Sequence, residues 1–350
     1  MSSFFIKFFH FKKNFLGVIS LSFIVFIATI SIFAYILAPD KSSNANNMNL
    51  SIHSQMPGFS VDILKEKKTR TNDQSLYEIL LFGVSETSDE IAVSDYYMQG
   101  DFIFYKEFKS LDESLKSVLR NDYVVEKKYF LFGTDKFGRD VLSRIIVGSR
   151  ISISIGFISV VISLAIGLFF GLISGYYSGL IDKIIMWLIN VTWSIPTLLL
   201  VIAITLALGK GFWQVFIAVG LTMWVEVARL VRGQVKTLKE RKFITAAKVM
   251  GFSDFRIILF HILPNIISPI IVISAANFAA SILIESGLSF LGLGAQPPMI
   301  SWGLMIKDHY NYIILGEPFL AIIPGVCIML LVTSFMLLGN SLRDILDIKN

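Results

Sequence analysis

Six long apolar runs divide this chain, and they constrain its fold more than any other feature of the sequence. A helix needs about 20 consecutive apolar residues to cross the hydrocarbon core of a bilayer, and each run has roughly that length or more. Backbone polar groups in lipid must be paired within the protein, so such runs are typical of membrane-spanning helices. The sequence therefore predicts an all-α polytopic membrane protein with six transmembrane helices. The predicted spans lie at about 15–37, 151–174, 184–208, 212–230, 266–283 and 319–338.

The basic residues predict how these spans are oriented. Lys and Arg concentrate at 7–13, 229–256 and 343–349, and loops rich in these residues remain in the cytosol. Both termini are therefore expected in the cytosol. The first run is too long for a signal-peptide core and no small-residue cleavage site follows it, so we expect an uncleaved span. This cytosolic bias accounts for the net charge of +5, and the pattern predicts no nucleic-acid partner.

Residues suited to catalysis or metal binding are sparse in this sequence. The single cysteine, Cys327, lies within an apolar run, so no disulfide can form within one chain. The four histidines are scattered and show no metal-ligand spacing. The sequence has no GxxxxGK[ST] loop for nucleotide phosphates and no recognisable nucleophile–base pair. It therefore predicts no catalytic residues, no metal site and no cofactor.

The composition changes sharply between the first and second runs. Residues 40–130 begin with a polar stretch that predicts a loose linker, and then mix strand-like and helical patterns. We expect an extracytoplasmic loop or small module here, because long loops cross the membrane regardless of their charge. Residues 131–148 predict an interfacial helix capped by Thr134 and Asp135, with Arg139 inside it.

A basic, amphipathic segment at 239–264 lies between the fourth and fifth runs and is expected in the cytosol. Small side chains at Ala246 and Ala247 allow a partner's backbone to approach closely. Gly251 is suited to ending a helix in a left-handed conformation. Ser253 is a candidate cap for a second helix, and Pro264 is expected to set the start of the following span.

The spacing within this segment resembles the signature of permease subunits of ABC-type importers. That signature is Glu-Ala-Ala, then glycine, then a downstream Leu-Pro. Here Thr245, Ala246 and Ala247 are followed by Gly251 and then by Leu263-Pro264, so Thr245 replaces the family's glutamate. The resemblance implies a short cytosolic helix, a turn and a second helix, with the first helix seated in a groove of an ATPase subunit.

Other stretches resemble one branch of this family, the second permease subunit of dipeptide, oligopeptide and nickel importers. Gly-Thr-Asp-x-x-Gly-Arg-Asp at 133–140 is typical of that branch, as are Leu-Gly-Leu-Gly, Gln-Pro-Pro and Ser-Trp-Gly at 291–303. The closing Gly-x-x-Leu-Arg-Asp-x-x-Asp at 339–347 also matches. The resemblance implies the type I ABC importer permease fold in the bacterial inner membrane, with an extra extracytoplasmic module. The predicted regions are a cytosolic N-terminus and first span (1–39), the module (40–130), the interfacial helix (131–148), the permease domain (149–340) and a cytosolic C-terminus (341–350).

The resemblance also implies partners. An importer permease needs cytosolic ATPase subunits, a second homologous permease subunit, an extracytoplasmic solute-binding protein and the surrounding lipid. In this interpretation the chain is not an enzyme, and it forms half of a pathway for peptides. Nickel import is the alternative within the family, and a membrane enzyme or stand-alone channel is the alternative outside it.

Three residues are candidates for the pathway or its gating. Pro196 interrupts the third run, and Glu226 and Glu285 are ionisable residues near the ends of the fourth and fifth runs. Ionisable groups within membrane spans mark pathways by default. For Glu226, a local ion pair with Arg229 is the alternative that we favour from sequence.

Overall fold

The computed structural model describes residues 13–67, 74–85, 89–109, 114–209 and 211–346. Part of the basic N-terminal stretch, Lys210 between the third and fourth runs, and Asp347 of the closing motif lie outside the described residues. The described α-helices are α1 (Phe15–Ile32), α2 (Ala34–Leu37), α3 (Leu76–Phe82), α4 (Val141–Tyr177), α5 (Gly179–Trp193), α6 (Thr197–Leu208), α7 (Phe212–Lys239), α8 (Lys242–Val249), α9 (Asp254–Ile257), α10 (Ile267–Phe290), α11 (Trp302–His309) and α12 (Phe319–Leu346).

Five helical stretches of the described chain are long and apolar enough to cross a membrane. They are Phe15–Ile32, Val141–Tyr177, Phe212–Lys239, Asp254–Phe290 and Phe319–Leu346. The predicted third span differs from a straight helix, because α5 and α6 meet at a bend of 91°. Pro196 lies at this break, where it removes a backbone N–H donor from the helical ladder. The predicted six spans are reached if the bent pair counts as one.

The chain divides into two compact units. One comprises 1–26, 152–296 and 327–350, and the other comprises 27–151 and 297–326. In the first unit, three glycines of α4 allow α7 to approach closely. A Cβ at Gly167 would lie 2.5 Å from the Cβ of Val227, and one at Gly175 would lie 2.6 Å from the Cβ of Val235. Small residues at these positions therefore let the two helices pack closely.

The second unit contains an antiparallel sheet in the region where the sequence predicted an undefined loop or module. Its strands are β1 (Phe59–Glu66), β2 (Glu90–Gln99), β3 (Phe102–Glu107), β4 (Lys116–Leu119) and β5 (Tyr123–Phe130). They lie in the order β4-β3-β2-β1-β5. Successive side chains of a strand point to opposite faces, and here both faces are covered. Ile63 packs beside Ile52 and Ala92 on one face, and Leu64 packs beside Val93 on the other.

The stretch ahead of the sheet is bound to residues 134–140, which corrects the prediction of a loose linker. The hydroxyl of Thr134 accepts a hydrogen bond from the Gln55 amide at 2.8 Å and donates one to the carbonyl of Ile52 at 2.5 Å. Arg139 donates from Nη1 to the side-chain oxygen of Asn46 at 2.9 Å. The Thr134 hydroxyl therefore binds the loop at 52–55, and Thr134 is not the helix cap that the sequence predicted.

Asp135 also differs from the predicted cap. Its carboxylate accepts hydrogen bonds from the amides of Phe137 and Arg139 and from the Arg139 guanidinium, and it lies 3.5 Å from Nε of Arg144. Burial raises the pKa of this carboxyl, but the two guanidinium charges outweigh burial and hold the pKa below its usual value. The helix starts later than predicted, at Val141, because Asp140 accepts a hydrogen bond from the Ser143 amide. It then continues without a break into the second span.

Candidate functional site

The segment at 239–264 forms a helix, a turn and a second helical stretch. Helix α8 ends where Gly251 adopts a φ of +77°, the left-handed conformation expected for this residue. The Gly251 amide donates to the Lys248 carbonyl at 3.0 Å, and the Phe252 amide donates to the Ala247 carbonyl at 3.2 Å. This pair of bonds is the Schellman motif, which satisfies carbonyls at a helix end and requires positive φ at the residue after the cap.

One face of α8 is fixed to the chain's own core. Ile244 and Ala247 are fully buried in an apolar cluster that includes Val231 and Val235 of α7 and Ile257 of α9. This corrects the prediction that Ala247 faces a partner. Its small size instead allows α8 to lie close to its own chain, and of the alanine pair only Ala246 is exposed.

The opposite face of α8 is open. We call it the docking face, and it comprises Thr245, Ala246, Val249, Met250 and Gly251, all of which are exposed. Val249 is 84% exposed and Met250 is 64% exposed. Adjacent exposed apolar residues mark surfaces that another protein covers. Among the described residues beyond its two chain neighbours, no heavy atom would lie within 4 Å of a Cβ on Gly251, so the space beside this turn is open.

The second helical stretch begins at Asp254 and runs to Phe290 through a π-helical turn and a 3₁₀ turn. Ser253 stands at the predicted cap position, but its side chain makes no capping hydrogen bond. Leu263 is half-buried and packs against the apolar core, whereas Pro264 is exposed in the first turn of the 3₁₀ segment. Proline is tolerated there because the first turn leaves its N–H position without a helical partner. Pro264 therefore lies inside a continuous helical stretch, and the prediction that it sets the start of the span is wrong.

Tyr176, at the end of α4, connects several parts of this segment. Its ring is buried, and its hydroxyl donates a hydrogen bond to the Asp254 carboxylate at 2.5 Å. Nζ of Lys239 donates to the Tyr176 carbonyl at 2.5 Å, and Nζ of Lys248 lies 5.1 Å from the ring centroid. Sequence reasoning missed this residue, since Tyr176 and Asp254 are far apart in the chain. Its position ties both helices of the segment to the end of the second span.

A second set of contacts between helices surrounds the carboxylate of Asp182. Arg232 donates to both carboxylate oxygens, at 2.6 and 2.8 Å, and Lys236 donates at 2.6 Å. The hydroxyl of Ser174 donates at 2.5 Å. These partners lie on α7 and α4, so one carboxylate joins three helices. The i, i+4 spacing of Arg232 and Lys236 was the available sequence signal, because it places both cations on one helix face.

The three pathway candidates do not form one cluster. Glu226 lies on α7 and lines a cavity of about 160 Å³ beside the bend at Pro196. Glu285 is fully buried on α10, accepts a hydrogen bond from Ser289 at 2.6 Å and does not line that cavity. The expected Glu226–Arg229 ion pair is wrong for the part of the chain that the structure describes. The Arg229 guanidinium instead lies 3.9 Å from the ring centroid of Trp193.

Comparisons with known proteins place this geometry in context. The family model described as "binding-protein-dependent transport system inner membrane component" matches residues 167–347. The dipeptide transport system permease protein DppC of Alkalihalophilus pseudofirmus is 44% identical over 218 residues, or 62% of this chain and 71% of the relative. The glutathione transport system permease protein GsiD of Pectobacterium atrosepticum is 43% identical over 217 residues, or 62% of this chain and 72% of the relative. A solved structure of the MetNI methionine ABC transporter in an inward-facing conformation aligns with a TM-score of 0.47 at 18% identity, covering 59% of this chain and 96% of that chain.

Proposed function

This chain belongs to the family of binding-protein-dependent transport system inner membrane components, and from that premise we propose that it is a permease subunit of an ATP-driven peptide importer. It is a multi-pass protein of the inner membrane. In this role it forms half of the translocation pathway, and a homologous permease subunit forms the other half. A solute-binding protein delivers the peptide at the extracytoplasmic face, and both termini lie in the cytosol.

The docking face of α8 is the observation that carries the coupling part of this proposal. It presents exposed Val249 and Met250 beside an open turn at Gly251, while its other face packs in the apolar cluster that α8 forms with α7 and α9. A partner that moves this helix therefore also moves the spans to which it is attached. Cytosolic ATPase subunits supply this motion, because ATP favours one of the two states and shifts the equilibrium between them.

Two relatives support peptide as the substrate class. They are named for dipeptide transport and for glutathione transport, and glutathione is itself a small peptide. Nickel import, the alternative within the wider family, has no comparable support among these relatives. Thr245 in place of the family's glutamate leaves a hydroxyl at that position of the docking face.

The test is purification of the tagged chain from its native membrane, followed by reconstitution of the purified complex into liposomes. We expect ATPase subunits and a second permease to co-purify. With the binding protein and ATP, the liposomes should take up dipeptides, oligopeptides or glutathione, and Ni²⁺ serves as the comparison substrate. Purification of the chain alone, or uptake of Ni²⁺ without any peptide, would overturn the proposal.

A further inference from the structure

The cavity beside the bend at Pro196 has one carboxylate residue and three threonines in a lining that is otherwise mainly apolar. It measures about 160 Å³, and its walls come from the α5–α6 bend, from α7 and from α10. Its lining includes Glu226, Thr192, Thr197 and Thr222, which carry oxygen acceptors, and Trp193, whose indole carries one N–H donor. A cavity of this size has room for several water molecules or for one end of a small peptide, but not for a whole peptide chain.

The polar groups whose bonding the structure defines are hydrogen-bond acceptors. The Thr192 hydroxyl donates its proton to the Leu188 carbonyl at 2.9 Å, and the Thr222 hydroxyl donates to the Val219 carbonyl at 2.8 Å. Each hydroxyl oxygen therefore retains only lone pairs for a ligand. An ionised Glu226 carboxylate can likewise only accept. Such a lining matches a ligand group that carries several donors and positive charge.

Glu226 also lacks a cation from its own chain. In the described ranges no ion pair reaches its carboxylate, and Arg229, three residues further along the same helix, is stacked on Trp193. A carboxylate within a membrane span is costly in lipid and usually faces a water-filled cavity or a partner group. The exposed carboxylate of Glu226 at the edge of this cavity fits that requirement.

From this arrangement we propose that the cavity binds the ammonium end of the transported peptide during its passage, with Glu226 as the counter-charge. The inference rests on the proposed function, because it assigns one end of a peptide substrate to a named site. The free α-amino group supplies three N–H donors and one positive charge, which the acceptor oxygens of Glu226, Thr192 and Thr222 complement.

The charge of the site is tested by the reaction rate of a cysteine placed in the cavity wall. Thr197→Cys is introduced in a Cys327→Ala background, and the reconstituted complex is treated with an aminoethyl or a sulfonatoethyl methanethiosulfonate. We expect the ratio of the cationic to the anionic reaction rate to exceed, by about tenfold, the ratio that the two reagents show with a free small thiol, because the carboxylate attracts one reagent and repels the other. Glu226→Gln should lower the ratio to the value for the free thiol, whereas Glu226→Asp should retain most of the excess. Glu126→Gln, an exposed change on β5, is the matched control and should leave the ratio unchanged.

The ligand chemistry is tested by protection of the same cysteine. Dialanine should slow its labelling several-fold, N-acetyl-dialanine should not, and Glu226→Gln should abolish the difference. Equal protection by both peptides, or a rate ratio that Glu226→Gln leaves unchanged, would overturn the site. Uptake of dialanine by the unmodified complex separates the two claims. Its absence counts against the proposed function, whereas uptake combined with a negative labelling result counts against the ammonium site alone.

Discussion

Gly251 combines a left-handed backbone conformation with a place in the proposed ATPase contact. At a φ of +77° any side chain adds strain on the order of 1 kcal/mol, and no heavy atom of the described residues beyond the two chain neighbours lies within 4 Å of the added Cβ. We predict that Gly251→Asp reaches normal membrane levels, because the residue lies outside the spans. The new side chain and its charge should instead enter the ATPase contact, so pull-down of ATPase subunits should weaken and peptide uptake should be lost.

Two variants separate the causes of this loss. Gly251→Asn has nearly the same shape as the aspartate variant, carries no charge and tolerates positive φ better than most residues, so it should weaken attachment less. Thr245→Ala removes one exposed hydroxyl, worth about 1 kcal/mol as a net hydrogen bond, and should be milder still. Full peptide uptake by Gly251→Asp would show that the docking face does not couple ATP to transport.

Tyr176 provides a test of how the segment is tied to the spans. Tyr176→Phe removes the hydrogen bond to Asp254 but keeps the buried ring and its contact with Lys248. A hydrogen bond to a charged group contributes about 1.5–3 kcal/mol, so its loss should weaken this contact without unfolding the protein. We predict that the ratio of ATP hydrolysed to peptide imported rises several-fold, as measured in proteoliposomes.

The neighbouring tyrosine supplies the control. Tyr177→Phe makes the same chemical change at a side chain that is 47% exposed and for which the structure gives no hydrogen bond, so the ratio should not move. A ratio that is unchanged in Tyr176→Phe, or raised equally in both variants, would contradict the assignment.

Among the single residues of this segment, some features follow from residue type and others depend on packing. The turn at Gly251 was predictable because only a few residue types populate positive φ readily, so the glycine itself carries the signal. The burial of Ala247 against its own chain was not predictable, because Ala246 and Ala247 are identical and only the packing partners of α8 distinguish them. The contact between Tyr176 and Asp254 was hidden for another reason, because it depends on how distant helices pack.

At the scale of elements, the approach of α4 to α7 depends on glycine. A Cβ at Gly171 would lie 2.8 Å from the Ala228 carbonyl oxygen and 2.8 Å from the Cβ of Val231, distances that a packed interface cannot accommodate without moving. Overpacking of this kind costs about 1–3 kcal/mol. We therefore predict that Gly171→Val lowers both the thermal midpoint of the purified complex and its yield from membranes.

Gly233 is a suitable control because it lies in the interior of α7 and a Cβ there would meet nothing within 4 Å. Gly233→Val makes the same substitution in a helix, so the difference between the two variants reports packing and not helix propensity. Equal midpoints for the two valine variants would contradict the close helix contact.

The elements that sequence reasoning did not resolve share a physical cause. Hydrophobicity located the third run, but the run's composition does not specify the 91° bend at Pro196, which depends on how neighbouring helices satisfy the interrupted backbone. The sheet at 59–130 was ambiguous because both of its faces are covered at the centre, so its strands do not show a clean alternation of apolar and polar residues.

At the scale of the whole molecule, the proposed mechanism requires that the sheet and the docking face lie on opposite sides of the membrane. The positive-inside bias predicts this, because the docking face lies in the most basic loop while the sheet follows the first span. We predict that Ser117→Cys on β4, in a Cys327→Ala background, reacts with a membrane-impermeant maleimide in intact spheroplasts. Thr245→Cys should react only after the membrane is permeabilised. Both positions are exposed in the structure, so a difference in labelling reports the membrane side and not local burial. Labelling of Thr245→Cys in intact spheroplasts would place α8 outside the cell, and a cytosolic ATPase could then not reach its docking face.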